Sequence, residues 1–197
     1  MRLRKLVCVS AILGTCCTAT VSAATLPPTA TAGIEWLQTQ VNVDGSLTNE
    51  SLSIASPLQA RSETATALGL AGSIPASLTG AVAADTGSYT QAVARHVIAL
   101  VQGGQSAVAA VQALYANQNA DGGFGSQAGD SSDALDTAFA LLALHAANDT
   151  SANNLSNALL YLVGNVDADG GYGLPAGGSG SQLYVTAYVL LSYQAYA

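Results

Sequence analysis

The apolar positions of this chain fall into runs of helical length, separated by short stretches rich in Gly, Asn, Asp and Ser. Residues 33–40 carry Ile34, Trp36 and Leu37, then give way to the turn chemistry of Asn42-Val43-Asp44-Gly45-Ser46. Ser56-Pro57 reads as a helix start, a hydroxyl N-cap before a proline whose missing N–H costs nothing there. The helix it opens is predicted to run to Leu70 and stop at Gly72. Residues 73–88 follow no clear period. Further helices are predicted over 89–102 (closed by Gly103-Gly104), 106–117, 133–147 and 153–164. The 133–147 segment is apolar almost all round, the pattern of a helix buried on most sides. Residues 182–196 carry no charge; their Val and Tyr content suits a strand, but their length argues for a helix. The pattern predicts an all-α fold of about seven helices joined as hairpins, without a strand ladder.

The turns between these helices repeat. Asn117-Gln118-Asn119-Ala120-Asp121-Gly122-Gly123-Phe124-Gly125 returns as Asn165-Val166-Asp167-Ala168-Asp169-Gly170-Gly171-Tyr172-Gly173, with Asp121 and Asp169 48 residues apart. Each copy leads to a matching segment, Asp136-Thr137-Ala138-Phe139 and Val185-Thr186-Ala187-Tyr188. A worn copy runs from Asp44-Gly45-Ser46 to Glu63-Thr64-Ala65-Thr66. From the turn Asp to the Thr is 20, 16 and 17 residues in chain order, and Thr64 lies 73 residues before Thr137, so about one extra helix separates the first two copies. A period near this length built of helix pairs signals a helical-repeat stack or ring. The repeated residues have a structural role on chemical grounds: Asp121 and Asp169 cap the turn, Gly122, Gly123, Gly170 and Gly171 allow the reversal, and Phe124 and Tyr172 plug the space between hairpins.

Residues 114–125 and 133–144 resemble the repeat of the terpenoid cyclase and protein prenyltransferase superfamily, the squalene cyclase and prenyltransferase β-subunit group. Its Gln-x-x-x-Gly-x-aromatic pattern is met by Gln118, Gly122 and Phe124; Val166 and Val41 take the Gln place in the other copies. The resemblance covers 106–197 well and 33–72 weakly. It implies a ring of paired helices, an α/α toroid, of which this chain supplies a partial arc. It also implies where catalysis would sit. Class II cyclases protonate substrate from the middle Asp of Asp-x-Asp-Asp-Thr-Ala; the aligned segment is Asp133-Ala134-Leu135-Asp136-Thr137-Ala138, and Leu135 has no proton to give. The Asp, Cys and His zinc set of the prenyltransferases has no cysteine to draw on outside the first 17 residues.

Charge and cysteine usage narrow the setting. Arg2, Arg4 and Lys5, the apolar run 6–19 and Val21-Ser22-Ala23 read as a secretory signal over 1–24, cleaved near Ala23 or Ala24. The run is too short to span a bilayer, so the processed chain is not expected to be transmembrane. Losing the three cations takes the formal charge from −7 to −10 and leaves Arg61 and Arg95 as the only ones. Such a chain repels phosphate backbones, which excludes nucleic acid as a partner. Cys8, Cys16 and Cys17 all fall within the signal, so disulfides and thiolate chemistry are not expected. A secreted or periplasmic bacterial protein is the reading: signal 1–24, leader 25–32 and repeat domain 33–197.

Candidate chemistry is sparse. Asp133, Asp136, Tyr172 and Tyr184 are the candidate ligand-binding residues, on the expectation that the acidic stretch from Asp121 to Asp136 gathers at one rim with the tyrosines. Asp133 reads first as a helix N-terminal acid favoured by the dipole. His96 and His145 read as structural. Asn165, Asp167, Asp169 and Gly170 match the opening of an EF-hand loop, but the twelfth position is Ala176 where calcium needs a bidentate Glu. No catalytic residue, metal or cofactor is assigned. The expected function is non-catalytic binding of a glycan, an apolar ligand or a protein, with self-association or continuation into further domains open. The alternative is an enzyme of the terpenoid cyclase/prenyltransferase-like or toroid polysaccharide lyase type, acting on a polyprenyl or glycan substrate.

Overall fold

The computed structural model describes residues 27–174 and 180–197. The signal expected over 1–24 lies outside them. The described residues are all-α apart from one minimal strand pair. In chain order the helices are α1 (Pro28–Thr39), α2 (Pro57–Leu70), α3 (Ala76–Ala84), α4 (Thr90–Gln102), α5 (Val108–Tyr115), α6 (Ala134–Ala146), α7 (Ala152–Gly164) and α8 (Leu183–Ala195). Strands β1 (Phe124–Gly125) and β2 (Ser132–Asp133) pair antiparallel.

Two expectations are corrected. The stretch 28–32, read as leader, is helical. Pro28 sits in the first turn of α1, where its fixed φ suits a helix, and Trp36 on that helix is 61% exposed rather than packed. The count is eight helices among the described residues, not seven, because α3 occupies the unassigned stretch 73–88. It opens after Pro75 and buries Leu78 and Val82, one turn apart; nine residues containing Gly80 are too few to show a period.

Even- and odd-numbered helices form two layers. α2, α4, α6 and α8 pack side by side in series, while α1, α3, α5 and α7 back them. Helix α6, between α4 and α8, is buried nearly all round, as its composition predicts. The register repeats along the row. In α6 the first, fifth and eighth residues (Ala134, Ala138, Leu141) form one buried stripe, and the third, seventh and tenth (Asp136, Ala140, Ala143) form another. In α8 the third, seventh and tenth residues, Val185, Val189 and Ser192, are buried, and α6 is the neighbour that α8 packs on. In α4 the first stripe is Thr90, Ala94 and Val97, all fully buried. Small side chains on these stripes let neighbouring helices approach closely, which explains why alanine dominates the apolar composition.

The three Asp-Gly turns have one geometry. Gly45, Gly122 and Gly170 take φ of 83°, 90° and 85°. The carboxylates of Asp44, Asp121 and Asp169 accept the N–H two residues on, at 3.0, 3.0 and 3.2 Å. Each turn is then tied to its helix. Thr137 Oγ1 accepts the buried Phe124 N–H at 2.9 Å, and Thr186 Oγ1 accepts that of Tyr172 at 2.9 Å. The worn copy differs: Leu47 N–H goes instead to Glu50 Oε2 at 2.9 Å, and Thr64 is not used. Phe124 is wholly buried and Tyr172 5% exposed, so both aromatics fill the corners expected of them.

Candidate functional site

On one face of the helix row, side chains from all four helices meet in a chain of contacts. Glu63 of α2 accepts from Arg95 Nε of α4 at 2.7 Å. The Arg95 guanidinium lies over the Phe139 ring of α6, 4.4 Å from its centroid. Phe139 stacks on Tyr188 of α8 at 4.4 Å and 25°, and Tyr188 meets Tyr184 at 4.9 Å. Arg95, Phe139 and Tyr188 are each the sixth residue of their helix, so the shared register brings them into line. A guanidinium over an aromatic face gains from the ring quadrupole, more so when, as here, its side chain is 13% exposed.

Beside this ladder lies a cavity of about 280 Å³ lined by Gln59, Tyr89, Gln91, Arg95, Ser126 and Asp136, among others. Tyr89 at its mouth is 57% exposed. Asp136 is the unusual member. It is only 3% exposed, and its Oδ1 has no hydrogen-bond partner. Burial, helped by the Asp133 carboxyl next to it, pushes the Asp136 carboxyl up to about 7, against the smaller opposing pull of Gln91 and Arg95. Near neutral pH this group therefore exists in both forms, able to donate or accept a hydrogen bond inside a polar cavity.

The expected site residues divide. Asp133 is the N-cap of α6: its Oδ1 accepts the Asp136 N–H at 2.8 Å, so its carboxylate is committed to the helix end. Asp136 and Tyr184 stand on the ladder face. Tyr172 does not; it is buried, and its hydroxyl lies 3.2 Å from that of Tyr193. Of the acidic stretch expected to gather at one rim, Asp121 and Asp130 are exposed and Asp133 is half-buried, whereas Asp136 and Tyr172 are withdrawn from solvent. Asp121 accepts from Gly123 N–H and the Ser132 hydroxyl within its turn, while Asp136 turns inward. Arg95 and Phe139 were missed as site residues. Their equivalence with Tyr188 was legible only as three helix positions of unlike chemistry.

Leu135 is 7% exposed and belongs to the core. At the EF-hand-like loop the Asn165 amide donates to the Tyr161 carbonyl, and the Ser181 hydroxyl donates to Asp169 and Asp167. Those side chains serve the fold, and no cluster of three metal-ligating residues occurs among the described residues. His145 is exposed, its ring edge-on to Tyr196 at 5.4 Å. His96 is half-buried beside Asp85, and burial holds its imidazole below the usual range. A scan of protein-family models found no match to this chain, and a comparison with curated proteins found none either.

Proposed function

We propose that this chain is an exported, all-α repeat protein whose helix row is an arc of the α/α-toroid type, and that it binds a glycan on the ladder face without transforming it. The observation that carries the reading is the character of that face. An apolar ligand such as a polyprenyl chain calls for a closed, aromatic-lined cavity; the surface around Asp136 is open and mixes two exposed tyrosines with amides, hydroxyls, a guanidinium and a carboxyl. Polar groups of both senses beside aromatic faces suit a ligand with hydroxyls at its edge and C–H on its faces. At about 280 Å³ the cavity is small for a ligand pocket and fits one sugar ring of a longer chain laid along the ladder.

Binding is favoured over catalysis by the carboxyl inventory. Glycosidic hydrolysis needs two carboxyl groups free to act on opposite sides of the bond. Here Asp133 is occupied as a cap, Glu63 is paired with Arg95, and only Asp136 is uncommitted. Titration calorimetry with a panel of neutral and acidic oligosaccharides, with farnesol as the apolar comparison, tests the proposal. Saccharide binding weakened at least tenfold in Tyr184→Ala and Arg95→Gln is expected. Binding of farnesol alone, or turnover of any saccharide, would replace this reading with the enzymatic or apolar-ligand one.

A further inference from the structure

The two ends of the helix row are unlike its middle. Of the large apolar side chains exposed on the described residues, Trp36, Val43, Leu52, Ile54 and Leu70 belong to the α1–α2 end. Leu160, Val163, Val166, Leu183, Tyr184, Leu190 and Leu191 belong to the α7–α8 end. Only Tyr89 and Val108 lie between. The register explains the second group. Positions one, five and eight are buried in α4 (Thr90, Ala94, Val97) and in α6 (Ala134, Ala138, Leu141), where the next helix of the row covers them. The same positions in α8 are Leu183, Ala187 and Leu190, and all three are exposed, Leu183 to 93% and Leu190 to 58%.

A second feature of this end points the same way. Each earlier turn seats a helix of the backing layer: a Cβ on Gly45 would run into Ser77 and Ala81 of α3, and one on Gly122 would lie 2.5 Å from the Asn157 carbonyl oxygen of α7. The Gln118 amide adds a bond to the Asn154 carbonyl of α7 at 2.9 Å. The third turn is built alike, yet nothing stands within 4 Å of a Cβ on Gly170, and Val166, in the place of Gln118, is 48% exposed. The α7–α8 end thus leaves uncovered the places that a further row helix and a further backing helix would fill.

We propose that a second copy of this chain docks there through its α1–α2 end. Helix α2 offers the complementary stripe. Its side away from the buried Ser62, Ala65 and Leu68 carries half-buried Ala60 and Thr64 and exposed Ala67, all small, followed by exposed Leu70, with Glu63 at the edge held by Arg95. The uncharged α8 would lie against this stripe, and α1 of the second copy would take the backing place over the Gly170 turn. Such a contact joins unlike surfaces and leaves one of each free, so it either closes into a ring or extends. This inference is independent of what the ladder face binds.

Sedimentation equilibrium over a wide concentration range tests it, using Leu190→Glu and Ala67→Glu, both at exposed positions where the fold tolerates a charge. The native chain is expected to self-associate, and each variant alone to be monomeric. An equimolar mixture of the two is expected to form a one-to-one dimer, because each variant keeps one intact end. Fluorescence of Trp36, the chain's single tryptophan, should shift to the blue on association. A native chain that stays monomeric at high micromolar concentration overturns the proposal. So does an Ala67→Glu protein that associates like the native one, which would mean that α8 pairs with itself.

Discussion

The carboxyl of Asp136 makes the stability of this protein depend on pH in an unusual direction. Most carboxylates in folded proteins are stabilised in the charged form, so folding is favoured as pH rises through the acid range. Asp136 is held near 7 in the fold against 3.8 for a solvated aspartate. Below about pH 4 both folded and unfolded chains carry its proton, and its burial brings no pH term. Between about 4 and 7 the unfolded chain releases the proton while the folded chain keeps it, so each pH unit removes about 1.4 kcal/mol of stability. Above 7 both states are ionised and the loss levels off. The difference of about three units sets a ceiling of about 4 kcal/mol. The measured value should fall below it, because Arg95 and Gln91 can turn toward a charged carboxylate. Asp136→Asn keeps the volume and removes the titration. Urea unfolding of both proteins, followed by circular dichroism from pH 4 to 8.5, isolates the effect, since groups remote from Asp136 cancel in the difference and only the adjoining Asp133 carboxyl does not. The variant should gain on the native protein steadily from pH 4 to 7, by about 2–4 kcal/mol in all, and then run parallel. A difference that stays flat across this range would refute the account of a carboxyl buried with its proton.

Other substitutions separate the roles of the repeated turns. Gly122→Ala should cost about 3 kcal/mol or more, since an unfavourable positive φ is joined by a clash with the Asn157 backbone, whereas Gly170→Ala, with the same φ and open space, should cost about 1–2; unfolding in urea distinguishes them. Thr137→Val strips the acceptor from the buried Phe124 N–H and should destabilise by about 1–3 kcal/mol, while Thr137→Ser keeps the hydroxyl and should cost less. Phe124→Ala empties a fully buried corner and is expected to lose about 3–5 kcal/mol, enough to unfold the chain on mild warming. Mass spectrometry of the protein expressed in a bacterial host with residues 1–24 in place should find a new N-terminus at Ala24 or Thr25, the test of the signal read over 1–24.

Local chemistry alone determined much of this protein. The Asp-Gly turns, the Ser56-Pro57 helix start and the nearly uninterrupted apolar run of α6 were legible because each is decided within a few residues: a carboxylate reaching an N–H two positions on, a proline at a helix start, a period with no polar face. The repeat could be counted, and with it the all-α hairpin architecture. What sequence could not show was anything set by which helix lies beside which. Asp133 and Asp136 differ by three positions and share a chemistry, yet one caps a helix in partial contact with water and the other is buried at the wall of a cavity between α6 and α4, so their behaviour diverges. Arg95, Phe139 and Tyr188 come from three helices spread over more than 90 residues, and only the common register of the packed row makes them one surface. The identical stripe buried in α4 and α6 lies bare in α8 for the same reason. A side chain's own nature fixes what it can do, but its burial, and through burial its proton and its partners, is fixed by the neighbouring helix.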